Sequence, residues 1–221
     1  NRELKAGAEQ LHRASWLLVT FGTAYVYSLR ETGKVVANCH KLPASLFDRR
    51  RVGVDEMIRG WIPLIERLSD SNPELRIMFT VSPIRHLRDG AHENQLSKSV
   101  LLLFVDELCR CIYFPSYEIV MDELRDYRFY DAGMTHPNEQ AIRYIWERFS
   151  EACFSEETQT LNREWERLEK ALNHRPLTPD KDAFRDFTMQ NLFKLKKIWE
   201  KYSYFDLSKE IDSLELFLKT L

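Results

Sequence analysis

Trp16-Leu17-Leu18-Val19-Thr20-Phe21-Gly22-Thr23 is an unbroken apolar run closed by two small residues. A run of this length and composition reads as a β-strand covered on both faces, of the kind parallel sheets bury. Upstream, Leu4, Ala8 and Leu11 share one side of a helical pattern over residues 3–12, so a helix feeds directly into the strand. Helix, buried strand and small residues at the strand's C-terminal end make half of a βαβ unit. In open α/β sheets that end is where ligands bind, which makes Gly22 and Thr23 the first candidate site residues.

The pattern continues in the same style. Residues 24–28 and 34–37 are short β-prone runs around Glu31-Thr32-Gly33, predicting a hairpin that delivers the polar cluster Asn38-Cys39-His40-Lys41. Val54, Met57, Ile58, Trp61, Ile62, Ile65 and Leu68 predict an amphipathic helix with Pro63 inside it, ended by Ser71-Asn72-Pro73. Leu75, Ile77, Phe79 and Val81 alternate as a second internal strand, which ends at Ser82-Pro83-Ile84-Arg85-His86. Leu96, Val100, Leu103, Phe104 and Leu108 mark another helix, and residues 112–120 return to an extended pattern around Pro115. Strand and helix in alternation imply a mostly parallel sheet whose strand ends share one edge. That edge would gather Gly22, Thr23, Ser82, Arg85 and His86.

A second signal lies at Tyr130-Asp131-Ala132-Gly133-Met134-Thr135-His136-Pro137-Asn138-Glu139. Pro137 suits the first position of a new helix and pushes His136 toward extended geometry. Ala141, Ile142, Ile145 and Phe149 give that helix an inward face, and Glu139 is set to reach back as in a capping box. His136 thus sits on the lip of a helix, a good seat for a general base, although a His-Pro pair at a helix start more often serves only to cap it. The mixed-sign run of residues 122–128 reads as an internal salt-bridge and hydrogen-bond network.

From Ser155 onward the strand signals stop. Leu161, Trp165, Leu168 and Leu172 form one helical stripe, Asn173-His174-Arg175-Pro176 breaks it, and residues 184–221 continue as aromatic-rich helices. The expected division is an α/β domain over residues 1–154 and a helical appendage over 155–221, which offers surface for self-association. The formal charge of −2 over 221 residues excludes a globally basic nucleic-acid binder, and no segment reaches the roughly 20 apolar residues of a membrane span. Cys39, Cys109, Cys111 and Cys153 lack zinc or disulfide-framework spacing, so they read as free thiols that favour a reducing, cytoplasmic setting. The sequence opens without methionine inside a helical pattern, which reads as a chain whose upstream part is missing.

Phe21-Gly22-Thr23-Ala24-Tyr25-Val26-Tyr27, Ala37-Asn38-Cys39-His40-Lys41-Leu42-Pro43, Val81-Ser82-Pro83-Ile84-Arg85-His86-Leu87-Arg88-Asp89-Gly90, Ser97-Lys98, Tyr113-Phe114-Pro115-Ser116-Tyr117-Glu118 and residues 122–130 together resemble the GSCFA-domain family over about residues 1–150. That family looks like a branch of the GDSL/SGNH esterases. The resemblance implies a three-layer α/β/α, flavodoxin-like sheet and a serine hydrolase that acts on an acyl ester of a carbohydrate or small metabolite without a cofactor or metal. Carried over, His136 matches the late base and Gly22-Thr23 the start of an oxyanion block; Asp131, five residues before the histidine, orients the imidazole from a longer loop, or the site runs as a Ser-His dyad. Ala24 stands where an asparagine is expected, so Asn38 is the candidate side-chain amide, and Gly133 stands where the acid is expected. The naming motif Gly-Ser-Cys-Phe-Ala is absent, which puts the nucleophile upstream. Ser82, followed by Pro83, lacks an elbow amide and lines the pocket instead, beside Arg85 and His86. Two rival readings stand beside the hydrolase. One is a binding module that keeps the shell without the chemistry. The other is a metal phosphodiesterase drawing on His40, His86 and His136, which share no metal-type spacing.

Overall fold

The computed structural model describes residues 2–37, 39, 41–108, 111–173 and 181–219. The chain divides into two compact units, residues 1–149 and 150–221.

The first unit is mixed α/β. Helix α1 (Arg2–Arg13) leads into β1 (Trp16–Phe21). Strands β2 (Tyr25–Leu29), β3 (Val35–Val36) and β4 (Phe47–Arg51) form an antiparallel sheet of order β3-β2-β4. Helix α2 (Val54–Ser71), β5 (Arg76–Val81), α3 (Ala91–Glu107) and β6 (Ile112–Phe114) follow. β1, β5 and β6 make a wholly parallel sheet of order β1-β5-β6, with Phe21 opposite Val81 and Thr80 opposite Phe114.

The side chains of this sheet separate by parity, as the pleat requires. Odd-numbered Leu17, Val19, Phe21, Ile77, Phe79 and Val81 join a core with α2 and α3. At its centre Phe21 stacks on Phe79 and meets Trp61 and Phe104 edge-on, with ring centroids 5.0 to 5.5 Å from Phe21. Even-numbered Leu18, Thr20, Met78 and Thr80 face the other way, toward Ile142 and Trp146 of α5 (Glu139–Cys153). Helical residues therefore lie on both faces of the parallel sheet. Among the described residues β1 is an edge strand, and Leu18 is 54% exposed. The expected two-sided cover of this run is thus only partial, because the strand pairs on one side and its even face is half open.

Three local expectations differ from the structure. β4 was invisible in the sequence because Phe47-Asp48-Arg49-Arg50-Arg51 carries no apolar alternation; its pairing with β2 holds it. Residues 112–120 are extended only to Phe114. Ser116–Glu118 forms α4, which runs on into a π-helical turn over Ile119–Leu124. Ser116 explains the switch: its hydroxyl donates to the Val81 carbonyl at 2.7 Å, which turns the chain across the end of β5. Finally, α5 is not capped by His136 or a Glu139 box. Asn138 is the cap, with Oδ1 accepting from Ala141 N at 3.0 Å and Nδ2 donating to the Arg128 carbonyl at 2.6 Å.

The second unit is helical: α6 (Glu156–Leu172), α7 (Lys181–Lys201) and α8 (Ser208–Leu218). Leu161 and Leu168, from the stripe read in the sequence, pack with Leu195, Ile198, Tyr202 and Ile211. Ser155 starts α6 by accepting from Thr158 N at 3.2 Å. Part of the expected break, residues 174–176, lies outside the described residues. No helix among the described residues is long and apolar enough to cross a membrane.

Candidate functional site

The polar groups gather where the fold predicts, beyond the C-terminal ends of β1 and β5, and they are held there from α3. The inward face of α3 is Asn94, Ser97, Lys98, Leu101, Phe104 and Val105, one residue out of phase with the face read from the sequence, where Leu103 was expected to be covered and is exposed. The first turns of that face are polar because they bind strand ends. Ser97 Oγ accepts from Ala24 N at 2.8 Å and lies 3.0 Å from Thr23 Oγ1. Lys98 Nζ donates to the carbonyls of Gly22 at 2.7 Å and Ser82 at 2.6 Å. Asn94 Oδ1 accepts from His86 N at 2.9 Å. Three side chains of one helix thereby fix the Gly22-Thr23-Ala24 turn and the start of the following loop.

Lys98 is 1% exposed. Burial pushes its ammonium down to about 8, because the charged form loses its water. His86 is lowered as well, first by burial and next by the Lys98 charge, which favours a neutral imidazole. Its Nε2 is buried against the Gly22 backbone, which acts against these two effects; a Cβ on Gly22 would lie 3.5 Å from that atom. The loop carrying His86 is anchored on the antiparallel sheet. Arg49 bridges Asp89 at 2.7 and 2.8 Å and stacks 3.7 Å over the Tyr25 ring, while Glu93 takes Arg51 at 2.9 Å and Tyr25 at 2.7 Å.

His136 sits in a tight loop. Tyr130 and Pro137 form a bridge, Asp131 N donates to the His136 carbonyl at 2.8 Å, and Met134, at φ 57°, closes the turn in the left-handed region. Asp131 and His136 therefore face each other although five positions apart. His136 Nδ1 is 3.7 Å from Asp131 Oδ2 and 2.9 Å from Thr135 Oγ1. Asp131 Oδ1 also takes the backbone N–H groups of Thr135 and His136, each at 3.4 Å. Arg85 N donates to the Thr135 carbonyl at 3.0 Å, which ties this loop to the one leaving β5. The Arg85 guanidinium lies 4.3 Å over the Tyr130 ring and 5.2 Å from that of Tyr127.

Of the residues singled out by sequence, Gly22, Thr23, Ser82 and His86 come together around Lys98, and Asp131 pairs with His136 on a loop bonded to Arg85. His86 lies close enough to His136 to feel its charge. Ser82 is a joint and not a free hydroxyl: its Oγ accepts from Ile84 N at 3.2 Å. Asn38 and His40 lie outside the described residues. The 122–128 run pairs internally, Arg128 with Asp126 at 3.1 Å, and also with α5, where Tyr144 donates to Glu123 at 2.6 Å. Among the described residues no three His, Cys, Asp or Glu side chains cluster as metal ligands. Sequence reasoning gave Ser97, Lys98 and Thr135 no role. For the first two a signal existed: polar residues in phase with Leu101, Phe104 and Val105 on the buried stripe of a helix.

Residues 1–149 match the GSCFA family, and residues 165–220 match the GSCFA domain protein, C-terminal domain. No curated protein and no solved structure matches the chain. With a family match over most of its length, the chain belongs to the GSCFA family.

Proposed function

We propose that this chain carries the acid–base half of an SGNH-type serine hydrolase acting on an ester, an acyl or acetyl group on a carbohydrate or small metabolite. The observation that carries the reading is the Asp131–Thr135–His136 loop, bonded through Arg85 to the end of a parallel strand. With the Nδ1 proton donated to Thr135 Oγ1 at 2.9 Å and the Asp131 carboxylate 3.7 Å away as a nearby negative charge, the His136 Nε2 keeps its lone pair and serves as the base. A serine Oγ attacks the ester carbonyl as His136 takes its proton. The same proton passes to the leaving alcohol, and water then repeats the cycle on the acyl-enzyme. Backbone amides of the Gly22-Thr23 turn hold the oxyanion.

In this reading the fold is the three-layer α/β/α sheet of SGNH enzymes, and the serine arrives on a preceding strand that pairs with the free edge of β1. The half-open even face supports this: Leu18 on β1 is 54% exposed, and a groove of about 350 Å³, lined by Leu18, Thr20, Ile142 and Trp146 among others, lies between that face and α5. Fluorophosphonate labelling of the full-length protein, combined with ester turnover, tests the reading. A single serine adduct outside these residues and loss of turnover in His136→Ala are expected. Unchanged turnover in that variant overturns the role of His136, and an adduct on Ser82 overturns the choice of nucleophile.

A second reading is a binding module that keeps this shell without chemistry. It is favoured by the 3.7 Å gap between Asp131 and His136, longer than a hydrogen bond, and by Gly133 at the expected acid position. Binding of an acylated sugar with neither adduct nor turnover would select it.

A further inference from the structure

Lys98 is a buried cation whose hydrogen bonds go to two carbonyls, those of Gly22 and Ser82, and no carboxylate pairs with it among the described residues. A buried charge without a counter-ion is costly and calls for an account. The ladder gives a first part of one. Phe21 O accepts from Ser82 N, so the next rung between β1 and β5 would bring Thr23 N–H to Ser82 O. The Lys98 ammonium occupies that acceptor instead, and it takes the Gly22 carbonyl with the same charge.

In a planar trans peptide the Gly22 C=O and the Thr23 N–H point in opposite directions. Drawing the carbonyl toward the buried ammonium turns the N–H away from it, outward from the strand end. A peptide whose carbonyl is bound by a cation is polarised and becomes a stronger donor at its N–H. The Ser82 carbonyl cannot relay the charge in this way, because its peptide nitrogen is that of Pro83 and carries no hydrogen. Ala24 N–H and the Thr23 hydroxyl are both engaged by Ser97, whereas Thr23 N–H has no partner among the described residues.

We propose that Lys98 is a positioning residue that aims and polarises the Thr23 amide, making it the main-chain anion donor at the end of β1. The identity of the anion, the oxyanion of ester hydrolysis, rests on the hydrolase reading; the coupling of Lys98 to Thr23 does not. Neutral Lys98 would leave the donor in place but weaken it.

Among the described residues, the titratable groups that face Lys98 are His86 and Tyr117, whose ring centre is 5.9 Å from Nζ. His86 is lowered from its usual value and Tyr117 is raised, mainly by burial in both cases, so a transition near pH 8 reports Lys98 itself.

The test is an NMR titration of the labelled chain, following Lys98 Cε and the Thr23 amide together. The Thr23 amide proton is expected to move upfield with the Lys98 midpoint and to show no such transition in Lys98→Met. A Thr23 amide that stays constant while Lys98 titrates overturns the proposal, and the wild-type measurement needs no variant to fold. In the full-length protein, with p-nitrophenyl acetate as probe, Lys98→Met is expected to lower kcat by about tenfold to a hundredfold with KM within about twofold. Unchanged kcat overturns the catalytic use of the amide. Absence of any turnover in the wild type counts against the hydrolase reading alone, and the Thr23 titration then decides the coupling.

Discussion

Asp131 and His136 face each other across one turn, with Oδ2 3.7 Å from Nδ1 and both side chains substantially open to solvent, 43% and 60% exposed. The carboxylate is braced by the main chain of the same loop, and Thr135 Oγ1 stands nearer to the ring than Asp131 does. An orienting aspartate so exposed is screened, so its removal matters less than the loss of a buried one.

Asp131→Asn is accordingly expected to cost about tenfold to a hundredfold in kcat of ester turnover, less than the ten-thousandfold known for a buried triad aspartate. Thr135→Val removes the nearer partner and is expected to cost a similar factor. His136→Gln is expected to abolish turnover. Steady-state kinetics on the full-length protein checks the order; a larger effect from Asp131 than from His136 would reassign the base.

The same loop depends on its cap. Asn138 serves α5 through Oδ1 and the Arg128 carbonyl through Nδ2, so Asn138→Ala loses both bonds and is expected to cost about 1 to 2 kcal/mol. Asn138→Asp keeps the cap and gives up the second bond, so it should fall between the two. Urea unfolding of the three proteins, read as a midpoint shift at constant slope, measures this.

How far the sequence carried the reading depends on what each segment's environment selects. β1, β5 and α2 were legible because Leu17, Val19, Phe21, Phe79 and Trp61 meet in one core, and burial imposes a period on the residues that supply it. β4 was not, since Arg49 and Arg51 are kept by partners distant in sequence, Asp89 and Glu93, which no local pattern encodes. His136 stood out through Pro137, yet the expected helix start there was wrong by two residues because the Tyr130–Pro137 bridge holds Pro137 in the loop. Lys98 was passed over for a general reason: lysine is normally read as solvated, and only its phase with Leu101 and Phe104 betrays the burial.

Ser97 gives a test of the turn that is separate from Lys98. Its hydroxyl is the acceptor for Ala24 N–H and the partner of Thr23 Oγ1, and both it and Ala24 are buried. Ser97→Ala leaves a buried N–H without an acceptor and is expected to cost about 1 to 3 kcal/mol. Slowed hydrogen exchange at Ala24 in the wild type and its loss in the variant would locate the cost. A variant as stable as the wild type would mean that the turn finds another acceptor.

Lys98 makes stability depend on pH in a direction opposite to that of a salt-bridged lysine. Its folded value is lowered from 10.5 to about 8 by burial, which corresponds to about 3 kcal/mol. Below pH 8 the side chain is charged in both folded and unfolded chains, and the full penalty applies. Between about 8 and 10.5 the folded chain releases its proton first, so the unfolded chain binds more protons and stability rises with pH from this group. Above 10.5 the penalty is gone. Lys98→Met lacks the slope, although it leaves the Gly22 and Ser82 carbonyls without their donor. The stability of the wild type relative to the variant is therefore expected to improve by about 3 kcal/mol from pH 7.5 to pH 10.5, read from paired urea curves. A difference that stays constant across this window would mean that the Lys98 ammonium is solvated as well in the folded chain as in the unfolded one.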